Sequence, residues 1–489
     1  MHSPNTLFRL FLVFSIISSS FSLLAVYSIL NRDLESYPTT SRRIWYLALA
    51  VAATVTLYYG AYALPSVAPL VLTYFHLTLA QYVAINLILS VLGAISAIFG
   101  SLSDRIGRAN LVIYGVLLNS LLILSLALTR TVWLFFLLHF VGGFIEGIIL
   151  VATPALVRDC SPRLGRATAM GFWTIGPVGG SLLATLVASQ TLPIFKNSWQ
   201  SQYIIAGIVG LVVAGICFLS LRDLSAPLRA QIMVSEKEKA ILEARARGID
   251  VEASMKHPWK QMARMRVLGS AFGIAVFLLT YYVFVGYGPV LFTDIFKYSL
   301  PQANGLLAIY WIVDIAASVV GGIFSDRLRV RKPFMFLATI GTMAANVVFI
   351  SRIGQTTSPV FMGTLLAISA LVGPIAYVTW MAAFTEMLEE INPALVATGM
   401  AVQGSVLRVV VVLSTIGFLV VVASTSTSLF DPEKWATWWW ICLGGLVVFL
   451  LTVFINPGPW SPARAQAEIQ ARLREEGLVL ESSPGAEMA

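Results

Sequence analysis

Long apolar stretches follow one another along almost the whole chain, separated by short polar segments. A helix of roughly 20 apolar residues is long enough to cross a hydrocarbon core of about 30 Å. The pattern therefore predicts an all-helical, polytopic membrane protein. Twelve spans are predicted, at approximately 44–69, 81–101, 109–129, 132–156, 167–190, 200–220, 268–293, 304–324, 333–351, 358–384, 394–424 and 436–455.

A further apolar segment, residues 7–30, precedes these twelve and is also long enough to span. A cleaved secretory signal there would leave Arg42 and Arg43 outside the cell, although Lys and Arg accumulate in the short cytoplasmic loops of membrane proteins. We expect this segment to be a thirteenth span or a helix lying in the membrane interface.

Composition and charge agree with this class of protein. The chain has 489 residues, of which 58% are hydrophobic and only 11% are charged, and this excludes an ordinary soluble protein. The net charge of +8 comes from basic loops on one predicted side, so it indicates membrane topology and not nucleic-acid binding. We expect a multi-pass protein of a cell inner or plasma membrane, with the loops after spans two and eight in the cytoplasm.

The sequence repeats itself across its two halves. GSLSDRIGR at 100–108 has a close copy in GGIFSDRLRVRK at 321–332, and the pair Tyr58 and Tyr59 has a counterpart in Tyr281 and Tyr282. Parallel repeats of this kind are typical of alternating-access transporters. The predicted divisions are an N-terminal hydrophobic segment at 1–42, a first six-span bundle at 43–220 and a linker at 221–266. A second six-span bundle at 267–456 and a cytoplasmic tail at 457–489 follow.

Two such motifs in equivalent loops, within twelve spans split six and six, resemble the major facilitator superfamily. The resemblance implies two pseudo-symmetric six-helix bundles and a motif that latches the cytoplasmic side shut in the outward-open state. The implied gating residues are Gly100, Asp104, Arg105, Gly107 and Arg108, with Gly322, Asp326 and Arg327 in the second copy. That copy departs from the pattern, with Arg329 in place of Gly107 and Val330 in place of Arg108. The alternative is that these are ordinary capping and positive-inside residues.

Charged residues deep inside predicted spans are expensive and are therefore candidates for function. Arg408 lies mid-way through span eleven, Glu146 through span four and Asp314 through span eight. We expect Arg408 to bind an anionic group of a substrate, and Glu146 or Asp314 to carry a proton. The alternative is a resident ion pair that only joins helices. His139, two helical turns before Glu146, is either part of a proton relay or a packed, hydrogen-bonded histidine.

Aromatic and small residues complete the candidate site. Tyr58, Tyr59, Tyr281 and Tyr282 fall at matching depths in the two halves, and a tyrosine can orient a small organic solute in an apolar cavity. In span five, GFWTIGPVGG resembles the antiporter signature of exporting members of the superfamily. Its Gly176, Pro177, Gly179 and Gly180 are expected to bend the helix and permit close helix packing.

These features predict a secondary transporter, most simply a proton symporter for a small organic anion. A proton-coupled antiporter that exports drugs or apolar metabolites and a non-transporting receptor on the same fold remain alternatives. No catalytic constellation, metal motif, cofactor motif or G-x-x-x-x-G-K sequence is present, so we expect no enzyme, no cofactor and no coupling to ATP within the chain. We expect a monomer whose partners are substrate, protons and lipid.

In the linker, Ser235 to Glu238 has the form of a capping box and predicts a surface helix that Gly248 ends.

Overall fold

The computed structural model describes residues 32–96, 99, 107–161, 166–246, 248–249, 256–423 and 431–475. The apolar segment at 7–30 lies outside these residues, and so do Gly100, Asp104 and Arg105 of the first motif copy. Twelve helices in the described chain are long and apolar enough to cross a membrane, which confirms the predicted number of spans. Spans one to twelve are Thr40–Phe75, Leu79–Ser96, Arg108–Leu126, Val132–Cys160, Arg166–Ile194, Trp199–Ser220, Met265–Asp294, Leu300–Leu328, Lys332–Arg352, Pro359–Ile391, Pro393–Val421 and Pro432–Thr452.

Two spans depart from a single regular helix. Span seven consists of two helical pieces, Met265–Phe277 and Leu279–Asp294, that meet at Leu278. Span eleven opens with a 3₁₀ turn at Pro393–Leu395 before its α-helix begins. The remaining helices end within a few residues of the limits expected from hydrophobic length, except spans one and ten, which continue further and end at Phe75 and Ile391.

The chain forms two compact units. Unit 1 contains the described residues up to Ala61 together with Leu92–Gly180 and Tyr203–Ser235, and unit 2 contains Tyr62–Val91, Ser181–Gln202 and the residues from Glu236 onward. The boundaries therefore pass through spans one, two and five and near the start of span six. We call the end of the spans that carries the two motif loops the motif end.

Unit 1 has its core at the motif end, where apolar faces of spans one, three, four and six pack together. A feature that the all-helical expectation did not include lies beside this core. Strand β1, Asp33–Leu34, pairs in parallel with strand β2, Asp223–Leu224. The pairing joins the segment before span one to the start of the linker.

The linker helix spans Ala226–Ala246 and so begins nine residues before the predicted capping box. The predicted start at Ser235 is wrong, because the preceding residues, with Leu, Arg, Ala, Gln and Met among them, are themselves good helix formers. The predicted end holds, since the helix stops just before Gly248, whose φ of +72° suits glycine.

Unit 2 is built around spans seven, nine, ten and twelve, with the large side chains of Trp380, Phe384 and Phe449 fully buried. Far from the motif end, the same unit includes the parts of spans one, two, five and six of the first repeat that lie away from the motif loops. There the Tyr82 hydroxyl donates to the Gly286 carbonyl at 2.8 Å, and the Asn304 amide donates to the Ser66 carbonyl at 2.9 Å. The first bond joins span two to span seven, and the second joins span eight to span one.

Candidate functional site

Arg408 lies half-way along span eleven and its side chain is exposed. One helical face carries Arg408 together with the small residues Ala401 and Ser405, whereas the adjacent exposed face carries apolar residues such as Leu413 and Val420. A guanidinium at mid-depth is too costly to place against hydrocarbon. The Arg408 face is therefore suited to an aqueous cavity, and the apolar face is suited to lipid.

Arg408 forms no ion pair and no side-chain hydrogen bond within the described part of the chain. The resident ion pair that the sequence left open is therefore not formed in this structure. Since an arginine keeps its charge in any protein environment, the positive charge is available to an anion that enters from solution.

Asp314 lies half-way along span eight and is buried, again with no hydrogen bond or ion pair to the described residues. The hydroxyls of Tyr310 and Tyr377 are close enough to interact with its charge. One turn away, the buried Trp311 makes an edge-on contact with the ring of Tyr281, with centroids 5.5 Å apart. Asp314 thus belongs to an aromatic neighbourhood of spans seven, eight and ten in unit 2.

Two of the sequence-predicted tyrosines belong to this neighbourhood. Tyr281 and Tyr282 are half-buried and contact each other edge-on at 5.4 Å. Their counterparts in unit 1 differ from each other, because Tyr58 is half-buried whereas Tyr59 is almost fully buried and its hydroxyl has no hydrogen-bond partner. A buried hydroxyl without a partner is uncommon and costly.

Glu146 lies half-way along span four, is half-buried and forms no hydrogen bond or ion pair with the described residues. His139 on the same span is engaged at both ring nitrogens. Its Nδ1 lies 3.1 Å from the Phe135 carbonyl and its Nε2 lies 3.2 Å from the Tyr203 hydroxyl. This geometry is that of a packed, hydrogen-bonded histidine.

The glycines of span five lie against span one. An added Cβ at Gly176 would come within 2.5 Å of the Thr54 side chain, and one at Gly180 within 2.4 Å of the Tyr58 Cβ. Gly179 faces Val55 at the looser distance of 3.2 Å. The absence of side chains on one face of span five, beside Pro177, is what permits the two helices to approach closely.

The second motif copy contains a charge cluster at the motif end of unit 2. Arg331 donates to Asp326 at 2.5 Å and to Glu386 of span ten at 3.0 Å. Burial lowers the pKa of Arg331, but the hydrogen bonds and negative charges of the two acids outweigh this effect and raise the pKa above its usual value. Gly322 packs on Val378 of span ten, and Arg327 is exposed.

The first copy contains a corresponding and more deeply buried cluster. Arg108 forms an ion pair with Asp159 at the end of span four, and both side chains are at most 6% exposed. Gly107, with a φ of +93°, precedes the first residue of span three. Sequence reasoning missed Asp159, Asp223, Arg229, Arg331 and Glu386. Asp159 and Glu386 do share a signal in the sequence, since each is an acid at the motif end of a span, in the equivalent place of its repeat.

A comparison with protein families matches residues 49–415 to the Major Facilitator Superfamily. The chain belongs to the major facilitator superfamily. This membership confirms the resemblance seen in the motifs, and the family is one of multi-pass membrane transporters, which are not enzymes.

Individual relatives within the superfamily are distant. The multidrug resistance protein MdtL of Shewanella sp. (strain ANA-3) is 22% identical over 56% of this chain, and the match spans 64% of that relative, just under two thirds. The gentisate transporter of Corynebacterium glutamicum is 24% identical over 58% of this chain and 68% of its own.

A solved structure supports the same architecture. A bacterial homolog of the human lysosomal transporter Spinster, in an inward-facing and unoccupied conformation, matches with a TM-score of 0.62 and 14% sequence identity. The match covers 86% of this chain and all of the other. At this identity the likeness shows the superfamily fold alone. Within the described residues no cluster of three His, Cys, Asp or Glu side chains could hold a metal ion.

Proposed function

We propose that this chain is a secondary transporter of a cell inner or plasma membrane that moves a small organic anion together with protons. The observation that carries the proposal is Arg408, an exposed cation at mid-depth that is not neutralised by any described acid. A cation in this position attracts anions and repels cations, and a planar guanidinium can bind a carboxylate through two parallel hydrogen bonds.

Tyrosine and tryptophan side chains supply the apolar part of the proposed site. The ring of Tyr281 makes edge-on contacts with the rings of Tyr282 and Trp311. Such rings can pack against a planar organic acid while their polar atoms orient it. The buried indole nitrogen of Trp311 has no hydrogen-bond partner and is available as a donor. The gentisate transporter among the relatives carries an acid of this general kind by its name.

Asp314 and Glu146 are the proposed proton carriers. Each lies at mid-depth without a hydrogen bond or counter-ion among the described residues, so its charge is not stabilised by a fixed partner. A carboxyl group in this situation can be neutralised by a proton, which would couple transport to the proton gradient. His139 is not part of the proposal, since both of its ring nitrogens are already engaged.

Flux measurements in proteoliposomes test this proposal. We expect inward accumulation of an aromatic acid such as gentisate when the outside is made more acidic than the inside, with loss of accumulation when the pH difference is abolished by a protonophore. A panel of aromatic and unsaturated organic acids extends the test. Accumulation that does not depend on the pH difference would exclude proton coupling. Absence of any flux of organic acids would exclude an organic anion as the substrate.

Proton-driven drug export is the second candidate function. It is favoured by the close contact of Gly176 and Gly180 with span one, in a sequence resembling the antiporter signature, and by the multidrug relative. The same proteoliposomes distinguish the two functions. A cationic dye that moves against a proton gradient, with no flux of acids, would replace our proposal by this one.

A further inference from the structure

A small cavity lies in the core of unit 2, in the half of the bundle that is far from the motif end. Spans seven, nine, ten and twelve enclose it, and all of its lining residues belong to unit 2. Asn346 and Trp439 each lie about two helical turns inside the ends of their spans, so the cavity does not lie at the aqueous surface. Neither the motif nor the proposed substrate site includes its lining residues.

Three of the side chains that line this cavity carry a buried polar atom without a hydrogen-bond partner among the described residues. The atoms are Thr280 Oγ1, Asn346 Oδ1 and the Trp439 indole nitrogen, and the three residues are 7%, 2% and 1% exposed. The Asn346 amide nitrogen already donates to the Thr342 carbonyl at 2.9 Å, and the Cys442 thiol lies close enough to the Thr280 hydroxyl to interact with it. Buried polar atoms without partners are rare and costly, so three of them around one cavity require an explanation.

Aromatic and aliphatic side chains close the cavity. The Trp439 ring packs against Phe349 and Phe284, with centroids 4.5 Å and 5.2 Å apart, and the two phenylalanine rings meet edge-on at 6.0 Å. Leu365 and Leu366 of span ten complete the wall. These five residues are at most 7% exposed, so they keep lipid tails and bulk water away from the polar atoms.

The three polar atoms determine which kind of ligand fits. The indole N–H of Trp439 can only donate, the Asn346 oxygen can only accept, and the Thr280 hydroxyl can do either. A metal cation cannot accept from the indole, and an anion such as chloride cannot donate to the amide oxygen. Water does both, and a buried water typically makes about three hydrogen bonds. The space between these side chains suits about one water molecule.

We propose that Thr280, Asn346 and Trp439 form a binding site for a buried water molecule that links spans seven, nine and twelve. The water accepts from the Trp439 indole, donates to Asn346 Oδ1 and makes its third bond with the Thr280 hydroxyl. Thr280 is the second residue after the break in span seven at Leu278, and a helix break is a place where water commonly inserts.

The water also has a place in relation to the proposed substrate site. Thr280 directly precedes Tyr281 and Tyr282, so the water holds the piece of span seven that carries these tyrosines against spans nine and twelve. It is a structural part of the second bundle. The proposal does not depend on which solute is carried or on coupling to protons.

The test is magnetisation transfer from water to the tryptophan indole protons, measured by nuclear magnetic resonance on the full chain with isotope-labelled tryptophan in nanodiscs. Trp439→Phe and Trp435→Phe assign the two signals. We expect a cross-peak between water and the Trp439 indole proton. Trp435, one turn earlier in span twelve, is the matched control, because its buried indole nitrogen also has no described partner but it does not line the cavity. It should give no cross-peak.

Two comparisons between variants extend the test. Asn346→Leu removes the acceptor at similar side-chain size and should abolish the Trp439 cross-peak. Trp439→Phe should lower the midpoint of thermal unfolding more than Trp435→Phe does, because the first breaks a hydrogen bond to the water whereas the second removes only a donor without a partner.

Four results would overturn the proposal. The first is the absence of a Trp439 cross-peak in the unmodified chain, and the second is an equal cross-peak at Trp435, which would indicate general entry of water into the bundle. The third is a cross-peak that persists at full intensity in folded Asn346→Leu. The fourth is a cross-peak that disappears when sodium replaces choline in the buffer, since it would identify a metal cation as the occupant.

Discussion

Gly107 and Arg329 occupy equivalent places in the two motif copies, and both have a positive φ, of +93° and +54°, although ψ is 136° at Gly107 and 32° at Arg329. The glycine accepts this conformation without strain, whereas a side chain with a Cβ disfavours it. The two copies therefore both need a positive φ at this place but make different turns, and only the first copy has the residue that suits a positive φ. The arginine that pairs with acids also stands one position later in the second copy, at Arg331, than Arg108 does in the first.

Replacement of Arg329 by glycine should stabilise the protein. The left-handed conformation costs a non-glycine residue about 1 kcal/mol, and glycine removes most of that cost. We expect Arg329→Gly to raise the midpoint of thermal unfolding. Arg327→Gly is the matched control, since Arg327 is exposed and helical in the same turn, and it should lower the midpoint because glycine weakens a helix. Equal changes of the unfolding midpoint in the two variants would show that the backbone at Arg329 is not strained.

The two charge clusters should contribute very differently to stability. Asp159→Asn leaves the buried Arg108 and Arg229 with one acid between them, and we expect a loss of about 3 kcal/mol in the free energy of unfolding. Glu386 is 47% exposed, so Glu386→Gln should cost no more than about 1 kcal/mol. Thermal or denaturant unfolding of both variants measures the difference, and similar losses would contradict the burial that distinguishes the clusters.

Close packing of span five on span one predicts a local effect at Gly180. A methyl group there would meet the Tyr58 Cβ at 2.4 Å and the Tyr59 amide nitrogen at 2.9 Å, so Gly180→Ala should destabilise the protein by about 2 kcal/mol. Gly215 in span six has no atom within 4 Å of the same position, and Gly215→Ala should be neutral or stabilising. If Gly180→Ala proves as stable as Gly215→Ala, the two spans are not packed this closely.

Proton coupling predicts a separation between exchange and accumulation. Asp314→Asn or Glu146→Gln should still exchange labelled for unlabelled substrate, because the anion site remains, but should no longer concentrate it against a gradient. The variant with this behaviour identifies the proton carrier. Exchange and uphill uptake are measured in parallel in the same proteoliposomes. If both variants accumulate substrate as well as the unmodified chain, neither acid carries the proton.

The sequence predicted the spans because hydrophobic length is a local property, and it predicted the superfamily because the motif is repeated. It also placed Arg408, Glu146 and Asp314 at mid-depth, since helical rise converts position into depth. Contacts between distant segments carry no such local signal. The cap that Asp223 provides to Arg108 and the pairing of Arg331 with Glu386 depend on how helices and linker pack, and they became visible only in the structure.

The most direct test of the account is the thermal stability of the purified protein and of Arg408→Gln, each measured with organic acids, neutral sugars and cationic drugs. A ligand that binds the folded state raises its apparent stability. Arg327→Gln, which removes an exposed arginine at the motif end, serves as the control for loss of a positive charge. Our account predicts stabilisation by an organic acid that persists in Arg327→Gln and disappears in Arg408→Gln. Stabilisation only by neutral or cationic compounds, retained in Arg408→Gln, would contradict it.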